Sequence, residues 1–422
     1  MAKKLKIAVL GNQVRWSISV MNAFLRSGHE IVRIPFSGKT MKEVFAEIEA
    51  SRPDFCFTQN FHLCEESNPG LQEELDYFFS ENKFPFAIWY LDNPEFQGNL
   101  NLQERWRREP FPKNCLFFIN DSSFASFFKK RKLPYYHLPI GVDKDIEALR
   151  YPHLVDLFRA DLRFTGQPIV QFSPEPPCVE VFREGYKIVY TEEVFKLIEM
   201  HTKNITAEQK EKLSGLFTES LDQLFDRYYT TKEDFFSAEE KYLKSVKNLP
   251  PYFYEISEIL SSRRQEFYSW CQMTCYLYEL KSKGLEIHGS PTWNSFFPDQ
   301  KVPARQLGWE ELFSSYQATK INFCFTKWSL PTTVHDRVFE ILVAGGFPLT
   351  DYREYLTAAF KKDEIVFYRS IEEAKDLIDY YLKADSERQK LISKGRARVL
   401  ASHTYDLRIQ ELIRESALHW NL

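Results

Sequence analysis

The sequence predicts an α/β protein built from two wound, parallel sheets, the second interrupted by a helical insertion. Three observations lead there. Short apolar runs alternate with helix-length segments from Lys6 to Leu138. Polar residues follow nearly every one of those runs, as they do at the carboxyl ends of strands in open α/β sheets. The same alternation resumes at Leu285 and includes a clear αβ unit between Pro331 and Tyr352.

A chain of 422 residues exceeds one ordinary core and is expected to form two domains of about 150–200 residues each. With 44% hydrophobic and 16% aromatic residues it can bury large cores, which argues against global disorder. A net charge of −4 and a pI near 6.2 give no reason to invoke nucleic acid or an acidic membrane. Seven cysteines, odd in number and irregular in spacing, fit a reducing compartment. Cys271 and Cys275 have no second pair, so no zinc site is expected. The start, MAKKLKIAVLGN, is basic then apolar, but its apolar part is about five residues long, which suits a first strand rather than a signal peptide. No window approaches the ~18 apolar residues of a membrane span. These features predict a soluble cytoplasmic protein.

Lys6–Leu10 is the first expected strand, followed by a loop at Gly11-Asn12, a helix through Val20–Ser27 and a strand at Glu30–Ile34. The loop lacks G-x-G-x-x-G spacing, because Gln13, Val14, Arg15 and Trp16 fill it with side chains, so a dinucleotide cofactor is not supported. Asn12, Gln13 and Arg15 still follow a strand end and either meet a ligand or cap the helix. Helix Met41–Ser51 leads to strand Asp54–Thr58, and helix Leu71–Ser80 to strand Phe86–Tyr90. Further strands are expected at Cys115–Ile119 and Tyr135–Leu138. His62 and Asp92, just past two of these strands, are the candidate proton acceptors of this half. Each has a plainer reading, as a loop histidine and as ordinary turn chemistry in Asp92-Asn93-Pro94.

Asp161–Gly166 reads as the first strand and glycine turn of a second wound sheet. The sheet then pauses. From about Glu180 to Lys283 the chain is helical and strongly charged, with capping-box spacings at Thr206/Gln209 and Ser237/Glu240 and a stop at Gly284. A lid, an acceptor platform and a homodimer contact are all open uses for this insertion. Leu285–His288, a helix at Trp309–Ser315 and a strand at Ile321–Phe325 resume the sheet. Strand Ile365–Tyr368 and helices Ile371–Lys383 and Ser386–Ala401 complete it.

The stretch Pro331–Tyr352 carries the chemistry. Thr332, Thr333 and Asp336 favour a helix start, Val338–Ala344 is an apolar helical run, Gly345-Gly346 stops it, and a short strand ends at Thr350-Asp351. Arg337 and Glu340, three residues apart, share one helix face. A carboxylate amid apolar neighbours is costly without a partner. Either the two form an internal salt bridge or they serve a ligand, with free N–H groups at the helix start receiving a phosphate.

This run, with Glu364–Tyr368, Tyr380-Tyr381-Leu382, Gly395–Tyr405 and Arg408, resembles the donor-site half of glycosyltransferases grouped with spore maturation protein CgeB. Trp89–Pro94 and Leu138–Asp143 resemble the family's first half more loosely. The resemblance implies a GT-B fold, two Rossmann-like doubly wound domains facing across a cleft. The expected boundaries are 1–158 for an acceptor-side domain, 159–404 for a donor-binding domain, and 405–422 for a C-terminal helix crossing back to the first. It implies a nucleotide-sugar donor, a glycan, cell-surface or protein acceptor, hexosyl transfer, and no cofactor or metal. By the same resemblance Glu340 holds the donor ribose, Arg337 or His335 the diphosphate, Gly166 lets the first loop approach the phosphates, and Gly345, Gly346, Thr350 and Asp351 border the sugar. His288, past the second strand of that sheet, completes the donor-side candidates. One position departs from the pattern. Retaining relatives often carry two glutamates eight residues apart, and Thr332 stands where the partner of Glu340 would be. A catalytically degenerate GT-B protein that binds nucleotide sugar or glycan is therefore a second reading, and a wound-fold nucleotide-sugar epimerase a third.

Overall fold

The computed structural model describes residues 3–11, 15–35, 38–60, 77–78, 81–94, 114–149, 151–166, 272–291, 293–297 and 307–422, with scattered positions between 206 and 269. The expectations for His62, Asn12, Gln13, the helix at 71–80 and most of the insertion lie outside the described residues. So does the side chain of Arg15, which opens the first helix.

Six strands form the first sheet: β1 Lys6–Leu10, β2 Glu30–Ile34, β3 Phe55–Gln59, β4 Phe86–Tyr90, β5 Cys115–Ile119 and β6 Tyr135–His137. Their order is β2-β1-β3-β4-β5-β6, and every neighbouring pair is parallel. Every residue of β3, β4 and β5 is buried, which is why these strands read as continuous apolar runs rather than as alternations. Helices α1 Arg15–Arg26 and α2 Met41–Ser51 supply the first crossovers. Thr40 and Glu43 close a reciprocal capping box on α2, and Arg52 ends it in the left-handed conformation. One core of Phe45, Phe78, Phe86, Phe117 and Phe128 packs on this sheet.

Five strands form the second: β7 Ala160–Gly166, β8 Leu285–Gly289, β9 Thr319–Cys324, β10 Pro348–Asp351 and β11 Val366–Tyr368. Their order is β11-β10-β9-β7-β8, and β9, β10 and β11 pair in parallel. Counted from its own first strand, this is the same winding as the start of the first sheet. Among the described residues outside the insertion, the longer helices that follow the first two are α3 Ala125–Lys130, α4 Trp309–Ala318, α5 Arg337–Ala344, α6 Glu354–Ala359, α7 Ile371–Tyr381, α8 Asp385–Ser402 and α9 Tyr405–Trp420. Single helical turns occur at Pro152–Val155 and Trp293–Phe296. The insertion's last helix is described from Gln272 and stops at Gly284, whose φ of 73° is the left-handed value a glycine takes without strain. Among the described residues no helix is long and apolar enough to cross a membrane.

The C-terminal helix is stitched to the first sheet. Thr404 caps it by accepting from the Leu407 N–H. Val142 N–H donates to the His403 carbonyl at 3.0 Å, and Tyr405 N–H donates back to the Val142 carbonyl at 2.8 Å. The approach leaves no room at Gly141, where a Cβ would lie 2.9 Å from Thr404 backbone. Trp420 lies 5.7 Å from Phe55, and Tyr405 sits edge-on to Trp89 at 6.1 Å. Arg26 at the end of α1 binds Asp406, Asp143 and Asp145 at 2.8, 3.1 and 2.8 Å.

By packing, the chain divides into two compact units. One comprises 1–162, 308–326 and 330–422; the other comprises 163–307 and 327–329.

Candidate functional site

Within the first unit, the segment between β9 and β10 holds most of the donor-side candidates. Strand β9 ends at Cys324, and Thr326 follows it. Thr326 N–H donates to Asp351 Oδ1 at 2.8 Å, Arg353 donates to the Thr326 carbonyl at 2.5 Å, and Arg353 also pairs with Asp351 Oδ2 at 2.7 Å. Arg353 is 2% exposed. Asp351 thus aligns the ends of β9 and β10.

The loop before α5 is held by a carboxylate from the first sheet. Asp121, directly after β5 and fully buried, accepts from Thr332 N–H at 2.8 Å, from the Thr332 hydroxyl at 2.5 Å and from Thr333 N–H at 2.9 Å. Its Oδ1 also accepts from Ser123 N–H at 2.9 Å. Thr332, which stands eight residues before Glu340 where retaining relatives often carry a glutamate, is a donor to an aspartate.

Helix α5 starts differently from the expectation of free N–H groups. Arg337 N–H donates to His335 Nδ1 at 3.2 Å, Val338 N–H to the His335 carbonyl and Phe339 N–H to that of Asp336. A tight turn leads into the helix, so its first donors are used internally. Charge from side chains is left to serve an anion.

Arg337 supplies it. Its guanidinium makes no hydrogen bond or ion pair with any described residue, so the internal salt bridge with Glu340 is not formed. Burial works against its charge, but Tyr316, Cys324, Asp336 and Glu340 hold its pKa above the ordinary value. The neighbouring Cys324 thiol is pushed up to about 12 by burial, against an opposing pull from Arg337. Glu340 is 8% exposed. The helix ends where Gly345, at φ 85°, donates its N–H to the last turn. Gly346 is packed so closely that a Cβ would lie 2.4 Å from the Tyr316 carbonyl.

Asp92 lies in a polar ladder at the strand ends of the first sheet. Asn60 donates to Asp92 Oδ2 at 3.0 Å and accepts from Leu91 N–H at 2.7 Å. Asn120 donates to the Leu91 carbonyl and accepts from Ile140 N–H at 2.7 Å. The half-buried Asp92 is oriented by that amide, an arrangement compatible with accepting a proton.

In the second unit, Gly166 and His288 lie at the ends of β7 and β8. The Gly166 carbonyl accepts from Trp293 Nε1 at 2.8 Å, and a Cβ on Gly289 would lie 1.9 Å from that carbonyl oxygen. Burial, helped by the nearby Arg163 charge, lowers the His288 pKa to about 4, so the ring is neutral at physiological pH. Arg163, 2% exposed, pairs with Glu286 at 2.7 Å.

Sequence reasoning missed two organising residues. Asp121 is one of the polar residues that follow a strand, and Arg353 lies two residues past the expected strand end at Thr350-Asp351. Among the described residues no group of three or more His, Cys, Asp or Glu could hold a metal.

Residues 264–414 match the protein-family model described as "Glycosyl transferase-like". That match spans the second sheet from β8 onward together with α5, Arg337 and Glu340. No curated protein matches the chain. Sucrose-phosphate synthase from Thermosynechococcus elongatus is similar over 98% of this chain and 99% of its own, with 10% identity and a TM-score of 0.50. An α,α-trehalose-phosphate synthase (UDP-forming) from Burkholderia vietnamiensis is similar over 99% of each chain, with 9% identity and a TM-score of 0.50. At such identities the likeness is one of fold. The chain has a two-domain α/β GT-B fold.

Proposed function

We propose that the protein is a glycosyltransferase that moves a hexosyl group from a nucleotide-diphosphate sugar to a glycan, cell-surface polymer or protein, without a bound metal or cofactor. One observation carries the reading. Arg337 presents a charged guanidinium with no partner among the described residues, three residues from the buried Glu340, inside the segment that matches the glycosyltransferase-like model. An unpaired guanidinium suits a diphosphate, to which it can donate two parallel hydrogen bonds. In this reading Glu340 accepts from a ribose diol, and His335 stands beside the diphosphate. The CgeB-type relationship and a cytoplasmic location are part of the proposal. Asp92, oriented by Asn60, and His62 are the proposed bases for an inverting course.

The test is a thermal-shift screen against UDP, GDP, CDP, dTDP and ADP sugars, with and without Mg²⁺. A ligand at ~100 times its dissociation constant adds about 2.7 kcal/mol of stability. The similar trehalose-phosphate synthase named as UDP-forming makes UDP sugars the first donors to try. A shift with one base, unchanged by chelator, supports the proposal; none with any base sinks it. A second reading, a GT-B binding module without turnover, is favoured by Thr332, whose hydroxyl is committed to Asp121. Slow hydrolysis of a bound donor separates the two, since only an enzyme releases free sugar.

A further inference from the structure

A cavity of about 140 Å³ lies at the carboxyl ends of β1 and β3. In the order β2-β1-β3 the winding reverses between these two strands, and open α/β sheets bind ligands at that reversal. Leu10, Ile18, Met21 and Phe57 contribute apolar walls. An apolar cavity of about 150 Å³ is known to accept benzene, so this one matches a single six-membered ring.

Three polar side chains also line it, Asn22, Gln59 and Arg33. Gln59 is 5% exposed, and its amide nitrogen has no hydrogen-bond partner among the described residues. A buried N–H donor left unmade is costly, and proteins retain such groups where a ligand or water completes them. Arg33, at the end of β2, is exposed and makes no ion pair with any described residue. The apolar walls therefore come with one orphan donor and one free cation. A sugar ring, covered in hydroxyls, would strand most of its donors against those walls.

We propose that this cavity binds a ring-sized organic acid, an aromatic or cycloaliphatic carboxylate, with its ring against Phe57 and Met21 and its polar end shared by Gln59 and Arg33. The proposal stands apart from the donor reading: neither Arg337 nor Glu340 lines the cavity, and its test contains no nucleotide.

Benzoate and the neutral benzyl alcohol are titrated into the full chain, read by ligand-observed NMR and calorimetry. Benzoate saturates at millimolar concentration or below and binds more tightly than benzyl alcohol. Arg33→Ala weakens benzoate about 5-fold, the scale of a partly exposed ion pair, and leaves benzyl alcohol unchanged. Ile18→Trp, at a position 40% exposed and so tolerant of bulk, fills the cavity and abolishes both. Its thermal melt, compared with the parent protein, confirms that the fold persists. Failure of both ligands to saturate overturns the proposal. Equal binding of the two with no effect of Arg33→Ala overturns its acid specificity, and unchanged titrations in Ile18→Trp show that the ring binds elsewhere.

Discussion

Thr332 gives both its backbone N–H and its hydroxyl to the carboxylate of Asp121, at 2.8 and 2.5 Å. A single buried side chain from the end of β5 thereby fixes the loop that precedes Arg337. Asp121→Asn keeps the shape but turns one acceptor into a donor facing an N–H group. The variant is expected to lose about 3 kcal/mol, since buried hydrogen bonds to charged groups contribute about 1.5–3 kcal/mol and a stranded donor adds to the loss. The midpoint of urea unfolding measures it, and a loss under about 0.5 kcal/mol would show that the contact is incidental.

Arg337→Ala is expected to behave oppositely. With no hydrogen bond or ion pair to a described residue to break, the fold should change by no more than about 0.5 kcal/mol. Donor affinity should fall roughly 10- to 100-fold, the range for a charge-assisted hydrogen bond. Glu340→Ala should likewise abolish donor binding and spare the fold. If Glu340→Ala instead unfolds easily and binds as before, the carboxylate has a structural duty. Calorimetry with the donor found in the screen, beside thermal melts, reads both variants.

Arg353 should be among the least replaceable charges. Arg353→Met leaves the Asp351 carboxylate and the Thr326 carbonyl without their shared donor. Removing one partner of a buried pair costs about 3–5 kcal/mol. Chemical denaturation of the variant provides the number, and a near-neutral result would mean that water reaches Asp351.

Acid should weaken the protein through a buried histidine. Burial and the Arg408 guanidinium, which donates to His403 Nδ1 at 2.9 Å, lower the His403 pKa to about 4. An unfolded histidine titrates near 6.5. Between these values the unfolded chain holds more protons, so stability falls as pH drops from about 6.5 to about 4. His403→Gln cannot take up that proton, so its stability should decline less over the same interval. Parallel slopes for the two proteins would refute the assignment.

The strands were legible because burial on both faces writes them as unbroken apolar runs; β4 and β5 occupy the residues expected, and β3 differs by one. Helix α1 was read as starting at Val20 yet begins at Arg15, because Arg15, Trp16 and Ser17 do not show the apolar period. In the site, Arg337 and Glu340 stood out as charges in an apolar helix. Asp121 could not, since its partners lie 211 and 212 residues further along the chain and no local pattern records so distant a pairing. The helix start was misjudged for a related reason. Whether its N–H groups are free depends on the turn ahead of it, and His335 decides that by folding back on Arg337.

The stitching of α9 to the first sheet bears on how the chain is made. Phe55 and Trp89, in strands completed early in synthesis, meet Trp420 and Tyr405 only when residues 405–420 have emerged. Until then the nascent first half carries an uncovered aromatic face and an unanswered backbone bridge at Val142. A ribosome halted before Thr404 would therefore display a sticky intermediate, and chaperone capture during translation should persist until α9 has emerged.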